Sequence, residues 1–287
     1  MDNLFDGSQT TQKEMEPGET FVYKLKFPDA GIYWYHPHVR ADYAQELGLY
    51  GNYLVAPTEK KYWNDVNREI PLFADDMLIK EGEIRLSKES ADRTLMGRFG
   101  NVMLLNGETD YTLHVKKGEL IRFYITNAAN TRTFNLGING IKTKLVGGDS
   151  GAYEKETWKE NVILGPSERA VVETLFDRPG TYTVEHKTPN RVYKMGTVVV
   201  SEDSATPSYG QIFSSLRTNK IAVADIDPFR PYFNKPIDKY LSLSIEMMGG
   251  MEGMGSMGSI NRMNNGSSAH NHAASPDGIE WEDDMEM

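Results

Sequence analysis

Gly31-Ile-Tyr-Trp-Tyr-His-Pro-His-Val-Arg-Ala-Asp-Tyr-Ala-Gln-Glu-Leu-Gly-Leu-Tyr-Gly51 is the stretch on which the reading of this chain turns. Two histidines, His36 and His38, stand one residue apart in an aromatic, strand-like run. In an extended backbone, residues i and i+2 share a face, roughly 6.6 Å apart along the strand. Two imidazoles held that way can each give a nitrogen to a different metal ion of one closely spaced cluster. Imidazole suits copper, zinc, iron and nickel, so the spacing leaves the metal open. A pair of strand histidines with no ligand is the plain alternative.

Around this stretch the chain reads as strands and turns. Phe21-Val-Tyr-Lys-Leu-Lys-Phe27 alternates apolar and polar residues with period two, which predicts a strand. Pro28-Asp-Ala-Gly31 then turns the chain into the histidine strand, and Gly51-Asn-Tyr-Leu-Val-Ala-Pro57 predicts another. Residues 58–68 are polar and suit a linker. From Glu69, short strand candidates follow one another: 70–74, 112–115, 120–125, 133–138, 143–146, 161–164, 170–175, 180–184 and 196–200. Turn signals separate them at Asn106-Gly107, Lys117-Gly118, Asn139-Gly140, Gly147-Gly148 and Pro179-Gly180. The expected class is all-β, with sandwich domains.

Composition bounds the function. The 287 residues suit one large domain or two of about 150 residues each. Hydrophobic content of 39% and charged content of 25% fit a globular chain. A net charge of −10 argues against sequence-independent nucleic-acid binding, which needs a basic face. No apolar run approaches the roughly 20 residues of a membrane-spanning helix, and no signal-peptide pattern stands at Met1. Cysteine is absent, so no thiolate metal site can be built from this chain.

Tyr33-Trp-Tyr-His-Pro-His38, with Phe27-Pro-Asp-Ala-Gly31 before it and Glu46-Leu-Gly-Leu-Tyr-Gly51 after it, resembles the end of the first cupredoxin domain of multicopper oxidases. Glu16-Pro-Gly-Glu-Thr-Phe-Val-Tyr-Lys-Leu25 resembles the strand leading into it. Leu104-Leu-Asn-Gly107, Val115 to Ala128, Arg132 to Leu136 and Leu164-Gly-Pro-Ser-Glu-Arg169 are similar to that family's copper-free middle domain.

The resemblance implies that residues 1–57 are the later part of a first cupredoxin domain and 58–68 a linker. Residues 69–203 would be a complete second domain, 204–239 a connector, and 240–287 the start of a third domain with an insert at 247–272. It implies that His36 and His38 are ligands of the type 3 copper pair. That pair belongs to a trinuclear cluster where dioxygen is reduced to water with electrons from a substrate such as Cu(I) or a small phenol. The family's His-Trp-His-Gly motif is expected before Asn3, and its late histidine and cysteine motifs after Met287. The chain is therefore expected to be a fragment, inactive alone, with the rest of its third domain as a partner and with type 1 and type 2 copper only in the full-length protein. A periplasmic or extracellular setting goes with the family.

Acidic residues near the cluster commonly deliver protons in this family, which makes Asp42 and Glu46 candidates; an ordinary solvated acidic pair is the alternative. His114 and His186 stand apart from other ligand types and read as structural, as does Asp75-Asp76. The insert is rich in glycine and methionine. Thioether sulfur is a soft ligand favouring Cu(I), so Met247, Met248, Met251, Met254, Met257 and Met263, with His270 and His272, are candidate cuprous ligands. They resemble the methionine-rich segments of bacterial copper-efflux oxidases. Two further readings remain: a non-catalytic copper-binding or scaffold protein that uses this segment, and a two-domain cupredoxin resembling nitrite reductases, against which the missing cysteine counts.

Overall fold

The computed structural model describes residues 3–7, 10–86, 97–241, 279 and 281, and is all-β in character. Strand β1 (Gly31–Tyr35) pairs antiparallel with β2 (Gly51–Val55), placing Tyr35 opposite Gly51. Helix α1 (Ala41–Glu46) lies between them. The expected strand at 21–27 does not form. A period-two pattern makes a strand only when a neighbour takes its backbone groups, and none of the described residues pairs with this stretch. Ring contacts hold it instead, with Phe27 5.0 Å from Tyr33 and 5.5 Å from Tyr53.

The body of the molecule is a sandwich of two sheets. The six-stranded sheet runs in the order β11 (Gly151–Lys159), β10 (Thr143–Gly148), β13 (Arg169–Phe176), β8 (Glu119–Asn127), β3 (Arg68–Met77) and β6 (Val102–Leu105). The five-stranded sheet runs β12 (Asn161–Leu164), β9 (Phe134–Ile138), β14 (Gly180–Lys187), β15 (Val192–Ser204) and β7 (Tyr111–Lys117). A small hairpin, β4 (Ile79–Lys80) and β5 (Glu83–Ile84), stands beside them. The pairs β3–β8 and β7–β15 are parallel and the others antiparallel. Between the sheets Ile121, Phe123, Ile125, Phe134, Leu164, Val172, Phe176 and Met195 form the main core.

Every residue of β8 is buried. Ile121, Phe123 and Ile125 face the core, so Arg122, Tyr124 and Thr126 point the other way. That outer face is covered by the segment before the sandwich. Ile32 and Trp63 pack with Tyr124, Val146 and Val171. Asn52 Nδ2 donates to Thr126 Oγ1 at 3.1 Å. Trp63 lies under the Arg122 guanidinium at 5.3 Å, and Arg122 also pairs with Glu173 and Glu69, each at 2.7 Å. The 58–68 stretch is therefore pinned down by its aromatic residues, although its composition reads as polar.

Residues 204–239 carry three short helices, Gly210–Phe213, Lys220–Ile226 and Arg230–Phe233, which the sequence reading did not anticipate. They dock through Lys144, whose fully buried Nζ donates to Ser215 O at 2.7 Å and pairs with Glu156 at 3.3 Å. Arg217 reaches back to Lys61 O and Tyr62 O at 2.7 and 2.8 Å. No helix among the described residues is long and apolar enough to cross a membrane.

Phe176 is fully buried and meets Phe123 edge to face at 6.5 Å. Phe176→Ala is expected to lower stability by about 3–5 kcal/mol, read from the midpoint of denaturant unfolding. A shift below about 1 kcal/mol would contradict the assignment of Phe176 to the shared core.

Candidate metal centre

The two histidines sit where β1 ends. The strand stops at Tyr35, and His36-Pro-His38 continues outside any ladder. Proline has no N–H to give a neighbouring strand, which suits the break. The rings nevertheless share a side, their centroids 5.1 Å apart and their planes 23° apart. Trp34 packs on His36 at 4.6 Å. On the far side the backbone of Gly7, at φ +75°, lies against the His38 ring; a Cβ there would come within 3.4 Å of Cγ.

The chemistry of the pair suits a metal. His36 Nδ1 lies 3.2 Å from Pro37 O. A carbonyl only accepts, so this bond places the proton on Nδ1 and leaves Nε2 with the lone pair. Burial pushes the His36 pKa below its ordinary value, with the Pro37 bond opposing, His38 adding to the fall, and Asp6 opposing. A neutral imidazole with its second nitrogen already hydrogen-bonded is the form that ligates metals. No group of three or more His, Asp or Glu side chains able to hold a metal gathers among the described residues. By itself the pair offers two imidazole nitrogens.

The two acids after the motif part company. Asp42 lies near the surface, 3.3 Å from Arg40 Nε. Glu46 is buried, its Oε1 2.9 Å from Arg98 Nε, with both side chains 1% exposed. The plain alternative of a solvated pair describes neither: the Asp42 side chain is only 16% exposed and that of Glu46 1%. Arg98 also reaches Asp76, which Arg132 Nε holds from its other side at 2.7 Å. Arg98 and Arg132 escaped the sequence reading. The signal was Asp75-Asp76 itself, two adjacent carboxylates directly after the apolar run Ile70–Ala74, where burial demands counter-charges.

Asp75 faces a different partner. Tyr50 Oη donates to its Oδ2 at 2.6 Å, and the Asp76 N–H donates to Oδ1 at 2.7 Å. Burial outweighs these bonds and pushes the Asp75 carboxyl up to about 6. The Tyr50 phenol is likewise raised, first by burial and then by Asp75.

His186 is fully buried, accepts the Asn135 N–H on Nδ1 at 3.0 Å, and packs with Tyr193, Phe134 and Trp281. His114 is exposed on β7 and lines a groove of about 600 Å³, remote in sequence from the histidine pair. Met247, Met248, Met251, Met254, Met257, Met263, His270 and His272 lie outside the described residues.

Comparison with known proteins points one way. Residues 1–60 match the family model described as multicopper oxidase. Laccase-3 of Thanatephorus cucumeris is 26% identical over 214 residues, covering 69% of this chain and 36% of that protein. A multicopper oxidase of Staphylococcus aureus is 26% identical over 175 residues, covering 59% of this chain and 38% of that one. The crystal structure of a Pseudomonas thermotolerans multi-copper oxidase superposes with a TM-score of 0.61 at 24% identity, over 71% of this chain and 48% of the other, and shows the shared fold. The chain spans little more than a third of the length of these two relatives.

Asp75 is expected to titrate near pH 6, and Tyr50→Phe to move that titration upward, because the phenol bonds the ionised form. Carbon-13 NMR of the Asp75 carboxyl checks this; an unchanged or lowered midpoint would refute it. The folded pKa lies above the unfolded 3.8, so the stability this site contributes is full below pH 3.8 and is lost as pH rises through 6, about 3 kcal/mol in all.

Proposed function

We propose that this chain, a member of the multicopper oxidase family, supplies two imidazole ligands, His36 and His38, to the type 3 copper pair of an oxygen-reducing centre. The observation that carries the reading is the paired geometry: two rings 5.1 Å apart, one with its proton directed to a backbone carbonyl. The family match over residues 1–60 includes both histidines. Copper bound there would supply part of the centre at which dioxygen takes four electrons from the reductant and four protons from solvent to give two waters.

The residues around the pair do the rest. The Pro37 carbonyl fixes the tautomer of His36, and Trp34 fixes the plane of its ring. Gly7 closes the side of His38. Of the two acids, the Glu46 carboxylate is committed to Arg98, so Asp42 is the better placed to move protons from solvent. The chain has no cysteine, so a thiolate-bound copper for electron entry would come from elsewhere in the assembled oxidase. The reading carries with it a periplasmic or extracellular setting and Cu(I) or a phenol as the reductant.

His36→Ala and His38→Ala are each expected to abolish oxygen consumption by the assembled oxidase and to remove copper-dependent shifts of the remaining imidazole. An oxygen electrode and NMR of the histidine rings check the two effects. Undiminished oxygen uptake by either variant would overturn the type 3 assignment.

A second reading concerns the substrate. Six methionines and two histidines between Met247 and His272 supply soft sulfur and imidazole ligands that match Cu(I). Deleting residues 247–272 is expected to slow cuprous oxidation more than phenol oxidation, compared by initial rates. Equal losses on the two substrates would remove any special role for the segment and leave copper storage by it without support.

A further inference from the structure

We propose that Arg98 is a positioning residue for the His36–His38 pair. It clamps α1 to β3 through Glu46 and Asp76, and so fixes the short turn that carries the two imidazoles. The consequence for copper rests on the type 3 reading above; the clamp rests on geometry alone.

Only Val39 and Arg40 separate His38 from α1. Arg40 sits in the left-handed region at φ 49° and ψ 49°, and its carbonyl accepts from the Tyr43 and Ala44 N–H groups at 2.9 Å each. The turn is therefore tight and leaves little play between ring and helix. A non-glycine residue stays in that region only where its surroundings enforce it. The helix itself is six residues long, far too short to hold its place by its own hydrogen bonds. Its position must come from what it buries, and that is Ala44 and Glu46.

Glu46 is buried against charge. Arg98 Nε bonds its Oε1 at 2.9 Å, while Arg98 Nη2 bonds Asp76 O at 3.0 Å and Asp76 Oδ1 at 3.3 Å. Asp76 Oδ2 accepts Arg132 Nε and the Gly100 N–H, both at 2.7 Å. All four side chains are at most 2% exposed, and their charges balance two against two. The arginine loop lies close enough to β3 that a Cβ on Gly100 would come within 2.4 Å of Met77 N. Desolvating such a chain of charges offsets most of its attraction, so it adds little net stability. What it adds is direction, because a guanidinium fork donates to carboxylates only in fixed planes and at fixed distances. An apolar contact in its place would let α1 slide.

The test uses the full chain carrying Glu46→Gln together with Arg98→Gln. This removes one charge of each sign and leaves Asp76 paired with Arg132. Without metal, nuclear Overhauser contacts between the His36 and His38 rings are expected in the wild type and lost in the variant, while the buried His186 ring keeps its shifts. Titration with Cu(II) is then expected to show about 10–100-fold weaker binding at the pair. Ring contacts and affinity both unchanged would overturn the positioning role. If the double variant also loses the His186 shifts, Arg98→Lys decides: it keeps the charge and loses the fork, so weakened ring contacts support the clamp and unchanged ones overturn it. A wild type that binds no copper at the pair, with ring contacts still lost in the variant, would defeat the copper reading and leave the clamp standing.

Discussion

Strand β8 has water on neither side, and the architecture follows from that constraint. A sheet face that carries Arg122, Tyr124 and Thr126 cannot be left against apolar cover, because each polar group buried without a partner costs about 1–3 kcal/mol. The covering segment supplies the partners one by one: Asn52 for Thr126, Asn64 and Trp63 for Arg122, with Glu69 and Glu173 from the sheet itself. Ile32, fully buried against Tyr124, Val146 and Val171, seals the patch. The histidine turn is thus attached to a face of the sandwich that tolerates only one register of its cover.

The same logic appears at three places on the six-stranded sheet. Arg122, paired with Glu173, holds Asn64 O; Lys144, paired with Glu156, holds Ser215 O; and Arg98 joins Asp76 to Glu46, so each charged group ties the sheet or its loops to a segment outside it. Buried pairs of this kind bring little net stability compared with well-packed apolar side chains. They discriminate instead between one arrangement and its near neighbours. For a pair of imidazoles whose use depends on separation and tilt, that discrimination matters more than an added kilocalorie.

Much of the sandwich was legible in the sequence. All nine strand candidates from 70 to 200 correspond to strands, and Asn161–Leu164 has the same bounds. Alternation and glycine turns are local signals, and these strands satisfy their backbones with neighbours that share them. Local signals failed where the outcome depended on a distant partner. Phe21–Phe27 alternates as well as any strand, yet pairs with nothing described. Gly151–Lys159 was missed because its charged, outward-facing residues hide its edge position beside β10. The histidine pair was legible as a motif, and so was its shared side. Its setting was not: Glu46, Asp76, Arg98 and Arg132 are drawn together from four separate stretches, and nothing in their spacing announces it.

The parallel pairing of β7 with β15 bears on how the chain is made. Among the described residues β7 has no other sheet partner, and β15 begins about 75 residues downstream. At ~5–20 residues per second, β7 leaves the ribosome roughly 4–15 s before its neighbour exists. Through that interval it is an open edge on a nascent chain. Its outward residues, Thr112, His114, Lys116 and Lys117, are polar or charged, the composition that discourages a stray strand from adding there. β7 stays the outer strand of the described sheet, so the same residues guard that edge both during synthesis and after it.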